Sequence, residues 1–118
     1  LGNNSTTKSL VPIKIMNGTK FKEISAGYYH SLSIDESGNL WTWGENNYGQ
    51  LGNNSTVNSK VPVQIMSGTK FKAISAGNGN SLVIDENDEL WGFGYIESGV
   101  TKNNGAVINV PIKVNFNN

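Results

Sequence analysis

Apolar residues in this chain fall at every second position within short runs, and no segment carries a helical stripe long enough to count. Ser31-Leu32-Ser33-Ile34-Asp35 alternates cleanly, and Leu40-Trp41-Thr42-Trp43-Gly44 does so with aromatics. The run from Phe21 to Ala26 alternates imperfectly, as fits a strand covered on both faces. Between the clean runs stand Glu36-Ser37-Gly38-Asn39 and, fifty residues on, Glu86-Asn87-Asp88-Glu89. Both read as hairpin turns rich in residues that tolerate positive φ. The pattern predicts four strands per unit, at roughly 12–16, 21–26, 31–35 and 40–44, and the same set shifted by fifty.

The shift is a true internal repeat. Residues 1–50 laid over 51–100 without gaps are identical at 29 of 50 positions. A third, partial copy closes the chain: Val110-Pro111-Ile112-Lys113-Val114 echoes Val61-Pro62-Val63-Gln64-Ile65 at a spacing of 49. Self-similarity at this period marks a propeller or a stacked array. Proline cannot donate to a ladder, so the Val-Pro run belongs at the outer edge of its sheet. Small residues at Ala26, Gly27, Ala76 and Gly77 suggest a close approach of neighbouring sheets near an axis. The expectation is an all-β chain of about two four-stranded antiparallel blades, at 21–66 and 71–115. A partial blade at 1–20 would contribute an orphan outer strand, 11–16. Two such blades bury one interface and leave two apolar faces uncovered, so self-association through those faces is expected. A first residue other than Met suits a piece of a longer array.

Composition removes several kinds of chemistry. Nine lysines balance nine acidic residues and there is no arginine, so the net charge is zero. No basic footprint for nucleic acid or an anionic membrane is expected, and the bidentate fork that grips phosphate is missing. With no cysteine, neither a disulfide framework nor a thiolate site can form. His30 is the only histidine, and a zinc site needs three or four ligands. Ser31 beside it points to the opposite strand face, the wrong geometry for a base activating a nucleophile. The acidic stretches Asp35-Glu36 and Asp85-Glu86-Asn87-Asp88-Glu89 read as solvated turns rather than a calcium loop or paired catalytic carboxylates. The glycines lack the Lys-Ser/Thr that completes a phosphate cradle. No enzyme activity, cofactor or metal is expected.

Two classes of residue remain. His30, Trp41, Trp43, Trp91 and Phe93, with Gly27, Gly44, Gly77 and Gly94, are expected to be structural, because most recur at the repeat period within or beside strands. Tyr28 and Tyr29 do not recur in the second copy, and unrepeated positions are where partner-specific surface concentrates. Tyr28, Tyr29, Tyr48 and Tyr95 are therefore the candidate contacts for a protein partner.

The run Ile24-Ser25-Ala26-Gly27-Tyr28-Tyr29-His30-Ser31-Leu32 leads to Asp35-Glu36-Ser37-Gly38-Asn39-Leu40-Trp41-Thr42-Trp43-Gly44. Asn47-Tyr48-Gly49-Gln50-Leu51-Gly52 and Val61-Pro62 follow. Together they resemble the regulator of chromosome condensation (RCC1) repeat. The second copy departs from that pattern, with Asn78-Gly79-Asn80 in place of Tyr28-Tyr29-His30 and Tyr95 to Val100 in place of the Glu45-to-Gln50 loop. The resemblance implies a seven-bladed β-propeller whose members are mostly interaction scaffolds. Alternatives within the same resemblance are guanine-nucleotide exchange on a GTPase and carbohydrate or surface binding by a bacterial secreted propeller. The chain shows neither the inserted hairpin nor an arginine that exchange would suggest. Its richness in Asn and Lys suits an AT-rich bacterial genome.

Overall fold

Alternation of period two, broken every few residues by turn formers, folds into antiparallel ladders. The computed structural model describes residues 1–7, 9–95 and 107–114. It contains strands β1 (Phe21–Ala26), β2 (His30–Asp35), β3 (Leu40–Gly44) and β4 (Ser59–Ile65). The repeat supplies β5 (Phe71–Ala76), β6 (Asn80–Asp85), β7 (Leu90–Tyr95) and β8 (Val107–Lys113). They form two four-stranded sheets in the orders β1-β2-β3-β4 and β5-β6-β7-β8. Pro62 and Pro111 lie in β4 and β8, the edge strands, where a missing N–H can face away from the ladder.

Over the first three strands of each sheet the two registers are one register shifted by fifty, and the fourth strand follows at 49. Phe21 pairs with Asp35 and Ser31 with Trp43, as Phe71 pairs with Asp85 and Ser81 with Phe93. The pairing of third with fourth strand is irregular at the same place in both sheets: Thr42 and Gly44 pair with Val63 and Ser59, and Gly92 and Gly94 with Ile112 and Ile108. The extra residues lie on the fourth strand, where a bulge bends the strand and increases its twist.

The core lies between the sheets. Leu32, Ile34, Leu40 and Ile65 of the first sheet meet Phe71, Val83 and Phe93 of the second, and all are essentially inaccessible to solvent. Polar links stitch the same interface. The Ala76 N–H donates to Ser25 Oγ at 2.9 Å, the Phe71 N–H to the Gly38 carbonyl at 2.8 Å, and Ser81 Oγ to the Gln50 carbonyl at 2.8 Å. Gly27 lies so close to the second sheet that a Cβ there would stand 2.4 Å from the Gly77 carbonyl oxygen.

Two expectations need correction. Val11 to Met16 is not a strand: it carries no ladder, whereas its equivalents in β4 and β8 each pair with a third strand. A strand is defined by its partner, and no third strand lies beside 11–16 among the described residues. The segment before β1 instead lies over the outer face of the first sheet. Gly2 and Ile15 meet Trp43 there, and the Asn4 N–H donates to the Lys60 carbonyl at 2.8 Å. Secondly, Asp35 and Asp85 are not solvated turn acids. Both carboxylates fold back over their own hairpins and are buried, 7% and 3% exposed. Residue 115, the last of the second expected blade, and residues 96–106 lie outside the described residues.

His30 bridges the sheets from the first residue of β2. Its Nε2 is 3.0 Å from the Asn80 carbonyl oxygen and 3.0 Å from Ser81 Oγ. A carbonyl can only accept, so Nε2 carries the proton and Nδ1 keeps its lone pair, buried without a partner. Desolvation pushes the His30 pKa down, against an upward pull from the Asn80 carbonyl. The unfolded histidine therefore protonates first as pH falls. The interface holds its full stability above about pH 6.5 and loses part of it as pH drops from there to the folded pKa. The second copy has Asn80 at the equivalent position. His30→Asn is accordingly expected to flatten the change in urea midpoint between pH 7.5 and 5.5. An unchanged slope in the variant would remove His30 as its source.

Candidate partner-binding face

Antiparallel order sends the β1–β2 turn and the β3–β4 loop to one end of the first sheet, and the β5–β6 turn to the same end of the second. The β2–β3 and β6–β7 hairpins lie at the other end. All four tyrosines of the chain fall at the first of these ends. Tyr28 and Tyr29 occupy the β1–β2 turn, Tyr48 the β3–β4 loop, and Tyr95 the last position of β7.

These rings are exposed: Tyr28 is 72%, Tyr29 70%, Tyr48 46% and Tyr95 39% accessible. Tyr28 and Tyr29 meet edge to face with centroids 6.3 Å apart. Tyr48, in the β3–β4 loop of the first blade, and Tyr95, at the end of β7 in the second, do the same at 5.7 Å. Edge-to-face pairs fix ring orientation and add to area burial. Tyr48 also lies against the β5–β6 turn, its ring 3.0 Å from where a Gly79 Cβ would stand.

The backbone under the rings is held tightly. The Tyr29 carbonyl accepts the Glu45 N–H at 2.8 Å, and the Gly79 carbonyl accepts the Tyr95 N–H at 2.8 Å. At the first of these crossings Gly44 has φ +110°, and at the second Gly94 has φ +98°. The β3–β4 loop is organised by Asn46, a fully buried side chain that the sequence reading passed over. Its Nδ2 donates to Asn53 Oδ1, the Ser55 carbonyl and the Val57 carbonyl, at 3.0, 2.8 and 3.0 Å. Its Oδ1 accepts the Leu51 N–H at 2.9 Å. Ile96 stands at the equivalent position in the second copy, and that loss at the repeat period was the available signal.

Of the candidate structural residues, Gly27, His30, Gly44 and Gly94 lie at this end beneath or beside the rings, and the aromatic ones are buried or half-buried in the sheets. Phe93 is in the core, with Trp91 half-buried against it, while Trp43 packs against Gly2 and Ile15. Trp41 and Trp91 donate their indole N–H groups to Asp35 and Asp85, each at 3.0 Å, near the hairpin end. Lys113 lies over the Trp91 ring at 5.7 Å and pairs with Glu89, while Lys72 pairs with Asp88. These three ion and cation–π contacts are all away from the tyrosines, whose neighbourhood carries Glu45, hydrogen-bonded by Asn47 at 2.9 Å. Among the described residues no three His, Asp or Glu side chains come together as a metal-binding group.

Comparison with known proteins agrees with this architecture. Two models of the regulator of chromosome condensation (RCC1) repeat match residues 37–84 and 21–50, and together cover residues 21–84, more than half of the chain. An RCC1 domain-containing protein of Dictyostelium discoideum is 47% identical over 36 residues, 30% of this chain and 7% of its own length. The ultraviolet-B receptor UVR8 of Arabidopsis thaliana is 38% identical over 50 residues, 42% of this chain and 11% of its own. Two structures of the yeast RCC1 protein, Prp20, superpose with a TM-score of 0.75 at 19% identity. They cover 87% of this chain, which spans 26–27% of theirs. One shows that protein bound to Kap60, and the other concerns its binding to Gsp1p and histones. These relatives are eukaryotic, so they lend no support to the bacterial source that composition suggested. Repeat models running across both sheets, on a fold shared with a known RCC1 protein, show that the chain belongs to the RCC1-repeat family and that its sheets are blades of a β-propeller.

Proposed function

We propose that this chain is a non-catalytic protein-binding scaffold, and that its partner docks on the tyrosine end of the two blades. The gathering of every tyrosine at one end of two sheets carries this reading. Tyrosine supplies a large, rigid, amphipathic contact area at a low cost in side-chain entropy, and it is enriched among residues that dominate interface energetics. The surrounding loops are rich in Asn, Ser and Gly, which add adaptable hydrogen bonding. Binding of Kap60, Gsp1p and histones by the yeast relative makes a protein the natural class of partner.

The test is quantitative affinity capture from the host's extract, followed by titration of the purified partner. Tyr28→Ala, Tyr29→Ala and Tyr48→Ala combined are expected to weaken binding by at least tenfold, because a central interface tyrosine contributes upwards of about 1 kcal/mol. Lys70→Ala, at the opposite end, is expected to leave affinity unchanged. Equal affinity of the triple variant and the wild type would place the binding surface elsewhere.

A further inference from the structure

Asparagine is followed by glycine at Asn17-Gly18, Asn78-Gly79 and Asn104-Gly105, the last of which lies outside the described residues. Such a pair carries latent chemistry. The side-chain carbonyl carbon of the asparagine can reach the next backbone nitrogen, and glycine has no Cβ to obstruct the closing ring. Closure needs the two reacting atoms to approach to about 3–3.5 Å with the right alignment, which a backbone free to rotate allows and a clamped one forbids.

The two described pairs differ in that freedom. Asn17 and Gly18 are exposed at the centre of a turn closed by the Thr19 N–H, which donates to the Met16 carbonyl at 2.9 Å. Nothing lies within 4 Å of the Gly18 Cβ position. The same turn recurs at Ser67-Gly68, between β4 and β5, where it has a blade on either side. There the Thr69 N–H donates to the Met66 carbonyl at 2.9 Å, Gly68 has φ +99° against +95° for Gly18, and both central residues are again exposed. Nothing lies within 4 Å of the Gly68 Cβ position either, so a preceding blade leaves this turn uncovered. Gly79, by contrast, is buried. Its carbonyl accepts the Tyr95 N–H at 2.8 Å and stands 2.4 Å from the Gly94 Cβ position, and the Tyr48 ring closes on it from the first blade.

We infer that Asn17 is a site of spontaneous modification, losing its amide through a cyclic imide with Gly18, while the fold holds Asn78 intact. The Gly18 nitrogen gives its proton to hydroxide or water and bonds to Asn17 Cγ. The bond from Cγ to Nδ2 breaks, and the nitrogen takes up a proton and leaves as ammonia. Water then opens the ring at either of its carbonyls, giving aspartate or isoaspartate, and nothing is oxidised or reduced. Either product adds a negative charge to a chain whose formal net charge is zero. Isoaspartate also lengthens the main chain by a carbon just ahead of β1. Ser67 has no amide to lose, so of two turns with the same backbone only the first can change.

The test is to incubate the full 118-residue chain at mildly alkaline pH, folded and in urea, and then to follow each asparagine by mass spectrometry. Cleavage after lysine puts Asn17 in peptide 15–20, Ser67 in 61–70 and Asn78 in 73–102. In the folded chain the amide-to-acid mass gain is expected at Asn17 at least about tenfold faster than at Asn78. Two products, aspartate and isoaspartate, are expected to separate by chromatography of peptide 15–20. In urea the difference in rate between Asn17 and Asn78 is expected to collapse. Ser67→Asn, an exposed change in the matching turn, is expected to open a second site in peptide 61–70 at a rate close to that of Asn17. An Asn17 that stays intact in the folded chain while converting in urea overturns the inference, as do equal rates at Asn17 and Asn78 in the folded chain. Aspartate as the sole product would mean direct hydrolysis and sink the cyclic route.

Discussion

Gly44→Ala is expected to lower the stability of the chain by about 3 kcal/mol or more, read as a fall in the urea midpoint. Two costs combine. The φ of +110° is a conformation that L side chains rarely adopt, and holding a residue there costs on the order of 1–3 kcal/mol. The new Cβ would also stand 2.5 Å from the Tyr29 carbonyl oxygen and 2.8 Å from His30 Cα, both of them backbone. Neither can retreat, because Tyr29 is bonded to Glu45 and His30 is paired with Gly44 in the ladder. Gly18 separates the two costs: its φ is +95°, but nothing lies within 4 Å of its Cβ position. Gly18→Ala is therefore expected to cost about 1–2 kcal/mol, from the φ cost alone. Equal losses in the two variants would mean that the crossing under the tyrosine face is not sterically closed.

Much of this arrangement was legible before any coordinates. Strict alternation in Ser31 to Asp35 and in Leu40 to Gly44 fixed strands that the structure places at His30–Asp35 and Leu40–Gly44. The repeated Val-Pro identified the edge strands, since a missing donor is tolerated only there. What pattern could not supply is anything decided by a partner far along the chain. The Val11 to Met16 run has the composition of β4 and β8, but among the described residues no third strand lies beside it and it carries no ladder. Asp35 looked like any acid in a polar turn, because its burial depends on an indole six residues away turning back toward it. Asn46 was hidden for a similar reason: a lone Asn in an Asn-rich loop says nothing until the loop closes around its amide. The tyrosines were singled out by their failure to repeat. Their common end, and the Tyr48–Tyr95 pair across two blades, follows from strand order rather than from residue type.

Asp35→Ala tests how that buried acid holds its hairpin. Oδ1 accepts the backbone N–H groups of Ser37 and Asn39, both at 2.9 Å. Oδ2 accepts Asn39 Nδ2 at 3.1 Å and the Trp41 indole N–H at 3.0 Å. Alanine leaves these donors facing a void, and the expected loss is about 3 kcal/mol at pH 7, since hydrogen bonds to a charged acceptor exceed neutral ones. Burial alone pushes the Asp35 pKa up, but the bonds from Trp41, Asn39 and Ser37 together outweigh it and the net shift is downward. Asp85 is lowered too, first by the Trp91 indole and then by the Glu89 N–H. A carboxyl with a depressed folded pKa contributes its full stability above the unfolded value of about 3.9 and loses it as pH falls through the folded pKa. The gap in urea midpoint between wild type and Asp35→Ala is therefore expected to hold steady from pH 7 to 5 and to narrow below pH 4. A gap that persists unchanged to pH 2 would mean that the hairpin uses the shape of the aspartate and not its charge.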